Sequence, residues 1–206
     1  MFLRGSVVDW TFLIAVDDAS GHITCTVMKN KTMVTLIKGM KSLVGWYKSN
    51  GHDVREIVTD SEANFVGIEQ DIEASGINMK FRTPETHNKR AERAIRVIKE
   101  RARCILSGFK YRFPACLYDH PIMYATKTLG LVPNDLTKTR TPRKLVTGVK
   151  PDLGRDLSAK FGDTGLFRMP RSEMTDDLEP RSEYGIIGRD LDNRGALRVL
   201  FQLVTS

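Results

Sequence analysis

Between Thr11 and Leu106 the apolar residues of this chain change their spacing several times, and that alternation restricts the fold more than any other feature. Thr11–Val16 (Thr-Phe-Leu-Ile-Ala-Val) is a short, unbroken apolar run, the pattern of a central strand buried on both faces. Asp18-Ala19-Ser20-Gly21 is a turn string, and Ile23–Met28 reads as the returning strand. Residues 5–10 predict the turn from an earlier strand that begins at or before Met1. From Thr32 to Ser49 the period becomes helical. Met33, Leu36, Ile37, Met40, Leu43, Val44 and Tyr47 recur at three and four, and Gly51 stands where a helix-ending glycine belongs. A strand over Val54–Thr59 ends at Asp60, a short helix is predicted over Asn64–Ala74, and Ile77–Arg82 is a further strand.

Asn88 to Leu106 carries the strongest helical pattern. Ala91, Ala94, Ile95, Ile98, Ala102 and Ile105 form its apolar stripe. Glu92, Arg96, Lys99 and Arg103 run along an adjacent stripe. Pro114–Thr128 predicts another helix, kinked or delayed by Pro121. Thr141-Pro142-Arg143-Lys144-Leu145 reads as a short capped helix with proline at its first position. After about residue 155 the runs shorten. Ala159–Phe161, Gly165–Met169, Tyr184–Gly188 and Ala196–Val204 read as strands between Gly, Asp, Asn and Pro, with residues 171–182 as a loop. Strands alternating with helices imply a mixed α/β sheet flanked by helices. The expected organisation is an α/β domain over residues 1–150 and a small β-rich module over 157–206, within a length of 206 residues.

Charge is distributed unevenly. Residues 87–103 carry seven Lys/Arg against two acids and residues 138–155 six against one, whereas residues 171–198 carry five against seven. A basic middle in a chain of net charge +7 fits a polyanionic partner, because each neutralised phosphate releases counterions. A solvated basic face is the plainer account of the same residues. No apolar run approaches the roughly 18 residues of a membrane span, and no signal-type segment follows Met1. Cys25, Cys104 and Cys116 form no Cys-x-x-Cys pair, and His22, His52, His87 and His120 show no ligand spacing with them. Neither a disulfide framework nor a structural zinc is expected, and a reducing intracellular compartment fits. The cysteines are expected to be buried small residues, and Trp10, Trp46, Tyr47, Tyr111 and Phe113 to serve packing.

Asp60 closes a strand and Glu92 opens the basic helix 32 residues later. In an α/β fold a strand end and a helix start can meet at one edge of the sheet. Two carboxylates there are hard oxygen donors of the kind that magnesium takes. Phosphoryl transfer needs a nucleophile generated at neutral pH and charge neutralised on the attacking and leaving oxygens, and metal ions supply both. Lys89, Arg90, Arg93, Arg96, Lys99 and Arg103 would hold a nucleic-acid backbone without reading bases. The alternative roles are ordinary ones: Asp60 as a turn or capping residue, and Glu92 as the ion-pair partner of Arg96 four residues on.

Four blocks resemble the integrase catalytic core of copia-type retrotransposon polyproteins. Leu13-Ile14-Ala15-Val16-Asp17-Asp18-Ala19-Ser20-Gly21 resembles the second strand and turn of that core. Val58-Thr59-Asp60-Ser61-Glu62-Ala63-Asn64-Phe65 resembles the block with the second catalytic aspartate. Ala91–Arg103 resembles the block with the catalytic glutamate, and Thr141–Gly148 the segment that follows the core. The blocks stand in family order and span most of residues 1–170. The resemblance implies a ribonuclease-H-like fold followed by part of a small β-barrel, and metal-dependent DNA strand transfer with Mg2+ or Mn2+. It also implies DNA as partner, action as a homo-multimer, and a nuclear site of action. An inactive DNA-binding remnant and a ribonuclease-H-like nuclease are the alternatives.

Two departures stand out. Ser61-Glu62 replaces the family's Asn-Gly, and the loop before Glu92 reads Thr86-His87-Asn88-Lys89-Arg90 where the family carries glycine. The first catalytic aspartate is expected on the strand before Thr11–Val16, at or just before Met1. Asp9, the only carboxylate upstream of that strand, lies 51 residues before Asp60, within the family's range, but falls in the expected hairpin turn. Asp17 and Asp18 are expected in turn or salt-bridge roles.

Overall fold

The computed structural model describes residues 2–3, 10–82, 89–157, 159–168, 182–189 and 197–202. Asp9 and the loop over 83–88, His87 included, lie outside the described residues. The chain divides into two compact units: residues 1–108 with 113–151, and residues 109–112 with 152–206.

The first unit is built on an antiparallel sheet of β1 (Phe2–Leu3), β2 (Trp10–Val16) and β3 (Ile23–Met28). The β2–β3 register runs from Thr11 opposite Met28 to Val16 opposite Ile23. Both faces of this sheet are covered, which is why β2 is apolar from Phe12 to Val16. Leu13 and Met28 join α1 (Met33–Ser49) through Leu36, Met40 and Leu43. Phe12, with Ile14, Ile23 and Cys25 against it, joins the opposite core of Ile98, Ala102, Ile122 and Ala125. Gly39 lets α1 lie close on the sheet, since a Cβ there would stand 3.2 Å from Leu13 Cδ2 and Met28 Sδ. The β2–β3 turn is closed by Asp17, whose Oδ2 accepts the Ser20 amide at 2.9 Å and the Ser20 hydroxyl.

A parallel pair follows, β4 (Glu56–Asp60) and β5 (Asn78–Arg82), in register from Glu56 opposite Asn78 to Asp60 opposite Arg82. Parallel strands need a crossover. Here it holds two short helices, α2 (Ala63–Val66) and α3 (Glu69–Glu73), where the sequence predicts one. The break falls at Gly67 and Ile68. A Cβ at Gly67 would come within 2.5 Å of Met33 Cε, and Ile68 leaves helical geometry (φ −108°, ψ 1°) as its side chain becomes fully buried. Packing against α1 outweighs the continuity of a helix that glycine already weakens.

α4 (Lys89–Ser107) buries Ala94, Ile98 and Ala102. A 3-10 turn, Ala115–Leu117, then leads into α5 (Asp119–Leu129). Pro121 delays this helix and does not kink it. It is the third residue of α5, inside the first turn, where an amide has no intrahelical acceptor to lose. α6 (Pro142–Thr147) has the expected cap: Thr141 Oγ1 accepts the Lys144 amide at 3.2 Å, and Gly148 ends it in the left-handed region (φ 71°). His52 Nε2 donates to Val146 O at 2.8 Å, tying α6 to the segment after α1.

The second unit holds the short helix α7 (Leu153–Asp156) and an antiparallel meander. Its strands are β6 (Thr164–Arg168), β7 (Ser182–Arg189) and β8 (Leu197–Gln202), with a bulge between Ile186 and Ile187. Ala159–Phe161, predicted as a strand, is irregular. The neighbouring Gly162 bonds its amide to Ile187 O at 2.8 Å, so this segment ends against β7 as a turn. Gly162 has φ +84°, and a Cβ there would collide with the Phe109 ring. Phe109 stacks on Tyr111 with centroids 5.4 Å apart, and the Tyr111 hydroxyl donates to Gly162 O at 2.6 Å.

Candidate active site

Asp60 is the last residue of β4, and its exposed carboxylate accepts a hydrogen bond at Oδ1 from Thr59 Oγ1, 3.2 Å away. Glu92 is exposed in the first turn of α4, where the helix dipole favours an acid. The two line one cleft of about 310 Å³. Its apolar wall comes from β2 (Phe12, Ile14) and from Phe65 and Ile95. Its charged lining comprises Lys31, Asp60, Glu62, Arg82 and Glu92. β4 is long enough to carry Asp60 just past the buried Thr59, and the stripe of α4 turns Ala94 and Ile98 into the core while Glu92 stays outside. Packing thus places on one cleft two carboxylates that the sequence separates by 32 residues.

Sequence reasoning missed three charged members: Lys31, Glu62 and Arg82, the last of which ends β5 opposite Asp60. Glu62 was legible only as a departure from the family's Asn-Gly. In the structure it lines the cleft and pairs with Lys31, Nζ to Oε1 3.6 Å. Lys31 lies in the short connection from β3 to α1, and no periodicity or motif marks it.

Of the basic residues on α4, Lys89, Arg90, Arg93, Arg96 and Arg103 are exposed and Lys99 is half-buried. Arg90 differs from the rest. Its Nη1 donates to the Asp18 carboxylate at 2.9 Å and to the Asp18 carbonyl at 3.0 Å, so Arg90 anchors the β2–β3 turn. Asp17 and Asp18 therefore have the turn and salt-bridge roles expected of them.

Trp46, Tyr47, Tyr111 and Phe113 pack as expected, and the side chain of Trp10 lies outside what the structure describes. Trp46 stacks on buried His22 with centroids 5.1 Å apart and meets Tyr47 edge to face, and Phe113 is buried. Burial pushes the Tyr47 hydroxyl up to about 12 and raises that of Tyr111. The cysteines only partly match expectation. Cys25 is half-buried, with its thiol pushed by burial to about 12, but Cys104 and Cys116 are exposed because they fall on the outer side of α4 and on the 3-10 turn.

The donor set suits a hard divalent cation in kind. Magnesium keeps several waters and takes one or two carboxylates plus substrate phosphates, so Asp60 and Glu92 suffice in number for one ion. A two-ion site needs a further ligand, and among the described residues no group of three or more His, Cys, Asp or Glu could hold a metal. No helix among the described residues is long and apolar enough to cross a membrane.

No protein-family model and no curated protein matches the chain. Solved structures do. The HTLV-2 integrase catalytic core domain, in a structure with magnesium, is similar at 17% identity and TM-score 0.56, covering 71% of this chain and 90% of that one. The catalytic core domain of BIV integrase is similar at 17% identity and TM-score 0.51, covering 71% and 91%. A chain of the simian T-cell lymphotropic virus intasome, in complex with PP2A regulatory subunit B56 gamma, is similar at 15% identity and TM-score 0.58, covering 90% of this chain and 66% of that one. These likenesses show the fold: the chain has the ribonuclease-H-like architecture of integrase catalytic cores.

Proposed function

We propose that this chain is an integrase-like polynucleotidyl transferase of copia type, acting on DNA. One observation carries the reading: Asp60 and Glu92 line a single cleft in a fold shared with integrase cores. In this reading Asp60 and Glu92 hold a magnesium or manganese ion. When bound, the ion supplies a nucleophile at neutral pH and neutralises charge on the attacking and leaving oxygens. The chain's own residues do the rest. Arg93, Arg96, Lys99 and Arg103 hold the phosphate backbone along α4. Phe12, Ile14, Phe65 and Ile95 give the cleft an apolar wall that limits water beside the reacting phosphate. The meander of the second unit belongs, in the same reading, to a small β-barrel. Multimeric assembly and a nuclear site of action follow from joining element ends to chromosomal DNA.

A specific observation favours a second reading, a DNA-binding remnant without catalysis: the absence, among the described residues, of a group of three metal ligands. One assay separates the two. Labelled DNA is incubated with the chain and with one extended upstream, in magnesium or manganese. Joining or nicking that disappears in Asp60→Asn and Glu92→Gln supports the enzyme, and nicking without joining supports a nuclease. Activity lost in Asp9→Asn identifies the first aspartate. Binding that survives both cleft substitutions, with no cleavage by either chain, supports the remnant.

A further inference from the structure

Lys31 and Glu62 face the cleft without a role in the chemistry above. Their bridge is loose. At 3.6 Å it is longer than the roughly 2.7–2.9 Å of a charge-assisted hydrogen bond, and the side chains are 35% and 47% exposed. Pairs this open to water hold each other weakly, so Glu62 releases the ammonium at little cost. The backbone that presents Lys31 is, by contrast, firmly built. Asn30 Oδ1 accepts the Thr32 amide at 3.3 Å and the hydroxyls of Thr32 and Thr35 at 2.8 Å each, and those hydroxyls lie 2.9 Å apart. A fixed base with a long flexible stem is suited to delivering a point charge to one place. Glu62 immediately precedes α2, yet its side chain makes no capping hydrogen bond, so it is not committed to that helix.

We infer that Lys31 is a positioning residue for a DNA backbone phosphate in the cleft, and that Glu62 holds its ammonium until that phosphate displaces it. The inference rests on the reading of the cleft as a DNA-acting site. It adds a phosphate contact from a second element lining the cleft, the β3–α1 connection, to those proposed along α4. On exchange Glu62 turns to solvent, where it already stands half exposed.

The test is the affinity of the full chain for a short DNA duplex, measured across a salt series with a chelator present so that no metal contributes. Lys31→Ala is expected to weaken binding about equally for all DNA sequences, and to lower the slope of log Kd against log salt by about one. Lys31→Arg restores that slope. Glu62→Gln is expected to tighten binding severalfold, and this gain is lost when Lys31→Ala is added. An unchanged slope in Lys31→Ala, or a Glu62→Gln gain of equal size with and without Lys31, overturns the inference and leaves the DNA-acting reading intact. A parent chain with no salt-dependent affinity for DNA overturns that reading and the inference with it. Tightening by Glu62→Gln cannot be imitated by a variant that merely unfolds.

Discussion

At one end of the β2–β3 hairpin, Asp17 takes two bonds from Ser20, Asp18 takes Arg90, and Asn134 Nδ2 donates to the Ser20 carbonyl at 2.9 Å. Asn134 Oδ1 in turn accepts the amides of Leu136 and Thr137 at 2.9 Å. At the other end the strands open on a cleft where Lys31, Asp60, Glu62, Arg82 and Glu92 gather. Both ends are rich in charge. The turn end directs its polar groups into backbone closure, while the cleft end presents exposed carboxylates and cations to a shared space. The contrast assigns stability to the first and, in the proposed reading, recognition to the second.

The largest expected effect lies at the cleft. Asp60→Asn or Glu92→Gln should lower joining or nicking by at least on the order of a hundredfold. Both residues are exposed, so unfolding free energy should move by no more than about 0.5 kcal/mol. A parallel loss of stability would erase the distinction between the two ends. Next comes the turn. Asn134→Ala takes the side-chain partner from the Ser20 carbonyl and the Leu136 amide, while the Thr137 amide keeps the backbone carbonyl of residue 134, and should cost about 1–3 kcal/mol in denaturant unfolding. Gly21→Ala should cost at least as much as a typical backbone strain of about 1–3 kcal/mol, because φ is +67° and a Cβ would meet Asn134 Nδ2 at 2.6 Å.

A smaller effect separates two arginines on one helix. Arg90→Ala should reduce DNA affinity less than Arg96→Ala, since Arg90 is engaged with Asp18, and its exposed bridge should contribute only about 0–1 kcal/mol to stability. Equal losses of affinity from both would mean that the Asp18 bridge opens on binding. The smallest effect is a pH dependence. Burial raises Cys25 from 9.0 to about 12 and Tyr47 from 10.0 to about 12, so the folded state keeps protons that the unfolded chain releases. The stability these groups contribute is complete below pH 9 and is lost as pH rises towards 12. Urea midpoints measured over that interval should fall, and Cys25→Ala should flatten the first part of the decline.

Much of the fold was legible in the sequence because its patterns are local. The apolar run of β2, the stripe of α4 and the proline-capped α6 each state their surroundings within a few residues. What was not legible depends on distant partners. Gly67 breaks the crossover helix because Met33 lies against it, and the sequence pairs neither residue with the other. Cys104 and Cys116 are small residues at positions whose exposure only the packing of α4 and α5 decides. The site divides in the same way. Asp60 and Glu92 sit at element ends that can be read in advance, whereas Lys31 enters the cleft through a connection without a pattern.

Phe109–Arg112 belongs to the second unit although some forty residues of the first follow it in the chain. With Phe109 lying over Gly162 and Tyr111 bonded to its carbonyl, the two compact bodies are not two consecutive segments. A single cut near Pro151 would strand these aromatic rings on the wrong fragment. The chain is therefore poorly suited to dissection into separately expressed halves, and any transplant of the β-rich part must carry this short upstream loop with it.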